Sequence, residues 1–320
     1  MLRTSSTSPA RPGAPKRMGP WRKSFIRYWQ MYLILIPVII YFIVFKYIPI
    51  TGVQIAFRDY SLRRGPWRSE WVGLKHFERF FSSYQSKLVI SNTLWISVLS
   101  LIFCFPFPII LALIFNELRT DRGKRLVRTI TYAPHFISTV VVVGMMVSMC
   151  SMETGIVNKI LVGLGIVDKP LYLMGSGKYF RMMYVISDIW KDSGWNAIIF
   201  ISALSAIDAS LYEAARVDGA SRWQQLIYIT LPSIVPTIVI MLILRCGSLM
   251  SVGHEKVYAM QTDLNLNVSE VISTFTYKQG ILDLKYDYAT AVDLFNSLIN
   301  ILMLTTVNAI SKKVSETSLW

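Results

Sequence analysis

The residues able to do chemistry in this chain stand inside long apolar stretches. "SDIWKDSGWNAI", residues 187–198, sets Asp188, Lys191, Asp192 and Trp195 at helical spacing on about one face, with Trp190 nearby and Asn196 next in line. Carboxylates and an amide can hydrogen-bond hydroxyls, and indole rings can stack on flat apolar faces. A sugar presents both kinds of surface. An Asp–Lys pair near the outer interface that serves only helix packing fits the same residues. Further along, Arg245 and Ser248 lie in another apolar stretch, with His254 and Glu255 shortly after. Asp293, Asn296 and Asn300 follow one another at i, i+3 and i+7. Ionisable groups at membrane depth are costly and face a bundle interior or a wet cavity. A buried guanidinium must find an anion, here Asp293 or a substrate carboxylate. Asn and Ser also serve as glue between helices. His135, beside Pro134, is expected to be a packed, hydrogen-bonded residue rather than a ligand. No Ser/His/Asp set and no metal-ligand spacing occurs, so no catalytic and no metal residues are expected.

The elements that must hold these residues are set by composition. Of 320 residues, 53% are hydrophobic and only 16% charged, where an ordinary soluble domain carries about a quarter charged. Six apolar runs are visible, at about 31–48, 88–116, 129–150, 182–206, 233–252 and 288–310. A spanning helix needs about 20 apolar residues, so the chain is expected to be an all-α integral membrane protein with six transmembrane helices over 31–310. An even count puts both termini on one side. Basic clusters before the first run, at 119–125 and at Lys312-Lys313 make that side cytoplasmic by the positive-inside preference. The loop at 49–87, with seven Lys and Arg of its own, falls on the other side.

The formal charge of +14 invites a nucleic-acid reading, but seven basic residues crowd the first 27 positions and no nucleic-acid motif appears. In "PWRKSFIRYW" the aromatic Trp21, Phe25, Tyr28 and Trp29 share a helical face away from Arg22, Lys23 and Arg27, as in a helix lying among lipid headgroups. Residues 20–30 are therefore expected to be an interfacial amphipathic helix, 1–19 a disordered basic tail, and 311–320 a cytoplasmic tail. Cys104, Cys150 and Cys246 read as buried, reduced thiols. The first run is too long for a signal-peptide core and is expected to be retained. "GSGKY" at 175–179 resembles the end of a phosphate-binding loop, but Tyr172 and Tyr179 stand where that motif needs glycine and Ser or Thr. Without a nucleotide site of its own, the chain must borrow any ATP chemistry.

One polar insert, "YEAARVDGASRWQQLIYITLPSIVP" from Tyr212 to Pro236, interrupts the apolar runs. It reads as helix, turn, helix. Gly219 supplies positive φ where the first helix stops, Ser221 caps the next, and Pro232 is expected to mark a break before the fifth span. Ala214 and Ala215 form a smooth spot that another surface can approach closely, ringed by Glu213, Arg216, Asp218 and Arg222.

Glu213-Ala214-Ala215, three residues, Gly219, nine residues, then Ile229-Thr230-Leu231-Pro232 resembles the EAA loop of permease subunits from bacterial binding-protein-dependent ABC importers. "WVGLKHFERFF", "NTLWISV" and "YAPHFISTVVVVGM" are similar to blocks of the carbohydrate-uptake branch. "EVISTFTYKQGI", "YATAVDLFNSLIN" and the terminal "TSLW" are similar to the subgroup importing polysaccharide-derived oligosaccharides, alginate importers among them. The resemblance implies a six-helix, MetI-like permease fold whose loop at 207–232 seats a coupling helix in a cytoplasmic ATPase. On that basis Glu213, Ala214, Ala215, Arg216, Asp218, Gly219, Ile229, Leu231 and Pro232 carry coupling. It also implies a second related permease, two ATPases that bind the ATP and Mg, an extracytoplasmic sugar-binding protein and an oligosaccharide substrate, in a bacterial cytoplasmic membrane. This chain then holds no cofactor and is not an enzyme. Two other readings stay open on residues alone: a proton-coupled secondary transporter, which would show inverted repeats, and a membrane-embedded glycosyl-transfer enzyme, which would use loop carboxylates with a metal.

Overall fold

The structure is a computed structural model. It describes residues 20–118, 120–315 and 317–319, and side chains within these apart from 20–26, 121 and 315. The expected tail at 1–19, the aromatic-versus-basic faces of 20–26, Arg119 of the second basic cluster and the terminal Trp320 lie outside what is described. Two compact units divide the chain at Val53 and Gln54.

The first unit is α1 (Pro20–Phe42), continued by a π-helical turn at Ile43–Tyr47. Backbone angles at Tyr28 (φ −117°, ψ 22°) leave the helical region, so a kink falls within the stretch expected to lie in the interface. From Arg27 the helix runs far enough, and is apolar enough, to cross a bilayer. A helix hydrophobic all round asks for lipid or another protein on its faces.

The second unit begins with a short antiparallel hairpin, β1 (Arg58–Asp59) against β2 (Glu70–Trp71). Trp71 stacks on Phe57 and lies under the Arg58 guanidinium. Helices α2 (Lys75–Ser82), α3 (Tyr84–Leu99), α4 (Pro106–Glu117), α5 (Asp121–Tyr132), α6 (Thr139–Met149) and α7 (Ile156–Gly163) follow. Then come the long α8 (Gly177–Ser205), α9 (Ala209–Val217), α10 (Arg222–Gln225) and α11 (Leu231–Gly247). After α12 (His254–Met260) and α13 (Ile272–Tyr277), α14 (Tyr286–Ser315) ends the unit.

Four helices are long and apolar enough to span, and two bent pairs bring the number to six if each pair is one span. The expected single helix over 129–150 is broken. Helical residues 122–136 and α6 meet at 100°. Pro134 cannot continue the hydrogen-bond ladder of α5, and Ser138 restarts it, its side chain accepting from Val141 N.

Pro232 makes no break, contrary to expectation. Arg222–Gly247 forms one continuous 26-residue helix with a π turn at Leu226–Thr230 just before the proline. The same arrangement recurs at Ile43–Tyr47 before Pro49 and at Ser100–Cys104 before Pro106. A proline ring presses on the carbonyl four residues earlier, which is the centre of the π turn in all three cases. Widening the helix there relieves the clash and keeps the rod whole. Pro37 and Pro236 sit within α-helix without such a turn.

Three apolar cores hold the second unit. Phe180, Tyr184, Val257, Met260 and Val271 gather in one; Phe80, Val89, Ile272, Phe275 and Val292 in another; Ala112, Ala197, Phe200 and Ile234 in the third. The stretch between the last two spans is therefore folded inward as α12 and α13. Helices α5 and α8 cross closely at Gly194, where a Cβ would run into the Thr131 carbonyl.

Candidate functional site

A cavity of about 450 Å³ opens among the third core, α4, α8 and α11. Asp188, Asp192, Ser193 and Asn196 reach it from α8, Arg245 and Ser248 from the end of α11, and His135 from the break between α5 and α6. A second cavity of about 260 Å³ shares Asp188, Asp192, Arg245 and Ser248. Of the face read from the sequence on the unbroken α8, Asp188 and Asp192 reach the hollow with Asn196, whereas Lys191 and Trp195 line neither cavity.

Three contacts fix the charges. Lys256 Nζ donates to Asp188 Oδ1 at 2.9 Å and to the Tyr184 carbonyl at 2.8 Å, with its ammonium 4.1 Å from the Tyr184 ring centre. His135 Nδ1 lies 2.8 Å from Asp192 Oδ1, a contact that puts the ring proton on Nδ1. The His135 imidazole stacks on Trp195, centres 4.6 Å apart and planes within 5°. Lys191 Nζ donates to the His135 carbonyl at 3.4 Å and sits 3.8 Å from Asp192. Arg245 has no carboxylate among the described residues within ion-pair distance, Asp293 included, so its guanidinium faces the hollow unpaired. Ser193 Oγ is buried without a hydrogen-bond partner among the described residues.

The other singled-out residues fall elsewhere. Trp190 is half exposed on the outer side of α8 and lines neither cavity. Asp293, Asn296 and Asn300 line neither as well. Asn300 Oδ1 accepts from Met250 N at 2.9 Å and its Nδ2 donates to Ser251 Oγ at 3.0 Å, which pins the turn that ends α11. The hydroxyl of Thr276, near Asp293, donates to the Ser273 carbonyl at 3.1 Å, and Asn296 Oδ1 is buried without a partner among the described residues.

Lys256 was not among the residues singled out; His135 was expected to be packed and hydrogen-bonded, as it is, but without a named partner. Lys256 had one local signal: Val257 and Met260 beside it continue an apolar helical period in a stretch otherwise polar.

The polar insert folds as its residues direct. Asp208 accepts from Ser210 N and starts α9. Gly219, at φ +79°, ends it. Ala220 N donates to the Ala215 carbonyl and Gly219 N to that of Arg216, the paired bonds of a Schellman closure. Ser221 and Gln224 form a capping box at the start of α10. Glu213, Ala214, Arg216 and Asp218 are exposed, while Ala215 is half-buried. Among the described residues neither Glu213 nor Asp218 has an ion-pair partner. Ile229 lies in the π turn, and Leu231 and Pro232 begin α11.

Known proteins match this architecture over nearly its full length. Residues 104–314 match the family described as "Binding-protein-dependent transport system inner membrane component". Protein LplB of Bacillus subtilis (strain 168) is 41% identical over 300 residues, 94% of each chain. From the same organism, the polygalacturonan/rhamnogalacturonan transport system permease protein YteP is 39% identical over 290 residues, covering 91% of this chain and 90% of its own. Among solved structures, a chain of a bacterial ABC transporter involved in the import of the acidic polysaccharide alginate superposes with a TM-score of 0.85 at 38% identity, over 93% of this chain and all of that one. A chain of the bacterial alginate ABC transporter in complex with an alginate pentasaccharide-bound periplasmic protein gives the same TM-score at 39% identity, over 93% of this chain and 99% of its own. Fold, insert and whole-length similarity agree, and the chain belongs to the family of binding-protein-dependent transport system inner membrane components.

Proposed function

We propose that this chain is one permease of an ATP-driven importer that moves oligosaccharides, acidic ones among them, across a bacterial cytoplasmic membrane by alternating access. The observation that carries the reading is the cavity at Asp188, Asp192 and Arg245. It combines carboxylates, an amide and the His135 ring with a guanidinium that lacks a counter-ion among the described residues. Hydroxyls and ring faces of a sugar meet the first groups, and a uronate carboxylate meets Arg245. The relatives' descriptions, pectic polymers for one and alginate for others, support an acidic cargo.

A second, related permease completes the pathway, and a sugar-binding protein delivers cargo from outside. Two cytoplasmic ATPase subunits bind ATP and Mg and receive α9 in a groove, with both termini of this chain on that side. ATP binding closes the ATPase pair, α9 moves with its groove, and the cavity turns outward; hydrolysis returns it. Glu213, Ala214, Ala215, Arg216 and Asp218 form the seat, Gly219 sets its turn, and Ile229, Leu231 and Pro232 join it to the span.

The test uses the complete assembly in proteoliposomes, with uptake of labelled oligogalacturonate measured beside ATP hydrolysis. Glu213→Ala is expected to keep hydrolysis while uptake falls about tenfold, the loss of one charge-assisted contact. Uptake that persists without the ATPase subunits, driven by an ion gradient, refutes the proposal.

A further inference from the structure

Helix α9 is tied to the rest of the chain by its covalent ends and, among the described residues, by one side-chain hydrogen bond to another element. Tyr212 Oη lies 2.9 Å from Thr230 Oγ1. Thr230 is only 1% exposed and is the last residue of the π turn, directly before α11. Its hydroxyl also lies 3.3 Å from the Gln225 carbonyl. The Tyr212 and Thr230 hydroxyls share one hydrogen bond in which either can be the donor. Gln225 in turn donates from Nε2 to the Ala220 carbonyl at 2.9 Å, just beyond the Schellman turn. Both ends of the polar insert are thus strung on one hydrogen-bonded line that stops at the foot of α11.

From Thr230, α11 runs as a rod to Arg245, 15 residues and about 22 Å further on. Met241, Leu244, Arg245 and Ser248 on that rod line the larger cavity. A push on α9 can reach them in two ways: around the turn at 218–221, or directly across the Tyr212–Thr230 contact. A hydrogen bond resists sliding in a way that apolar contact does not, because its strength falls steeply with angle and distance.

We infer that Tyr212 and Thr230 form a strut that carries the displacement of α9 to the cavity-lining end of α11, both acting as positioning residues for transport. This rests on the reading of α9 as the seat for an ATPase. The strut predicts a specific defect: hydrolysis continues while less sugar moves per ATP.

The experiment measures sugar taken up per ATP hydrolysed by the full assembly in proteoliposomes, with the loaded binding protein supplied. Tyr212→Phe removes one oxygen and is expected to lower the ratio about fivefold, the equivalent of one ordinary hydrogen bond, at unchanged assembly and hydrolysis. Thr230→Val should do the same, whereas Thr230→Ser, which keeps the hydroxyl, should restore the normal ratio. The double variant Tyr212→Phe/Thr230→Val should be no worse than either single one, since both remove the same contact. A normal ratio in Tyr212→Phe or Thr230→Val, an equal defect in Thr230→Ser, or losses that add in the double variant overturn the strut and leave ATP-driven uptake by the unaltered chain standing. Absence of that uptake overturns the parent reading and the strut together.

Discussion

Asp208 shows how one side chain sets the insert's geometry. Its Oδ1 accepts from Ser210 N at 2.9 Å. The carboxyl is held below its ordinary value of 3.8, first by that backbone donor and then by the Ser210 hydroxyl. A depressed carboxyl contributes to folding wherever it is ionised, so the cap is fully present above the unfolded value and is lost as pH falls through the lower, folded one. Amide-exchange protection of α9 is therefore expected to fall on acidification below the usual carboxylate range. Asp208→Asn caps without titrating and should flatten that dependence. At this scale much was legible. Gly219 and Ser221 act within a few residues of themselves, so their roles follow from residue type. The partner of Asp188 was not legible, because Lys256 lies 68 positions away and the apolar period of Val257 and Met260 beside it does not say which group it meets. His135 was read as packed and hydrogen-bonded, and only its partner Asp192, 57 positions away, could not be named for the same reason.

Among the elements, proline acted differently from its simplest reading. The rule that proline interrupts a helix held at Pro134, where α5 ends, and failed at Pro232, where a π turn takes up the crowding. Both prolines lack an N–H; Pro134 stands in a short 3-10 turn that ends at the C-cap Ile137, whereas a π turn precedes Pro232, a difference that residue type alone does not record. The α5–α8 crossing is of the same kind. Gly194 lets the two backbones touch at Thr131, and any side chain must push them apart. Gly194→Ala is expected to destabilise the chain by about 1–3 kcal/mol, read as a lowered thermal midpoint in detergent. Gly144→Ala, whose Cβ meets nothing within 4 Å, should leave the midpoint unchanged or raise it, since alanine is the better helix former. Equal midpoints for both variants would remove the crossing from the account.

For the whole molecule, charge placement frames the transport question. Lys256 neutralises Asp188, and His135 and Lys191 attend Asp192, while Arg245 is left facing the cavity. If that guanidinium meets a uronate, Arg245→Gln should reduce uptake of oligogalacturonate about tenfold relative to a neutral oligosaccharide of equal length, the scale of a lost charged hydrogen bond. Equal reduction for both cargoes would assign Arg245 to structure alone.

The sequence by itself determined that the chain lives in a bilayer, roughly where its apolar runs lie, and the caps and turn of the insert, but not that the third run is broken or that the fifth helix already begins at Arg222. What it determined follows from properties of contiguous residues: apolar length against bilayer thickness, and caps that close within one helical turn. Only the tertiary structure decided which polar groups share a hollow, which proline bends its helix, and that the segment before the last span folds inward to supply Lys256. Those outcomes depend on side chains meeting across tens of positions, where burial makes an unpaired charge costly and selects its partner by position in space.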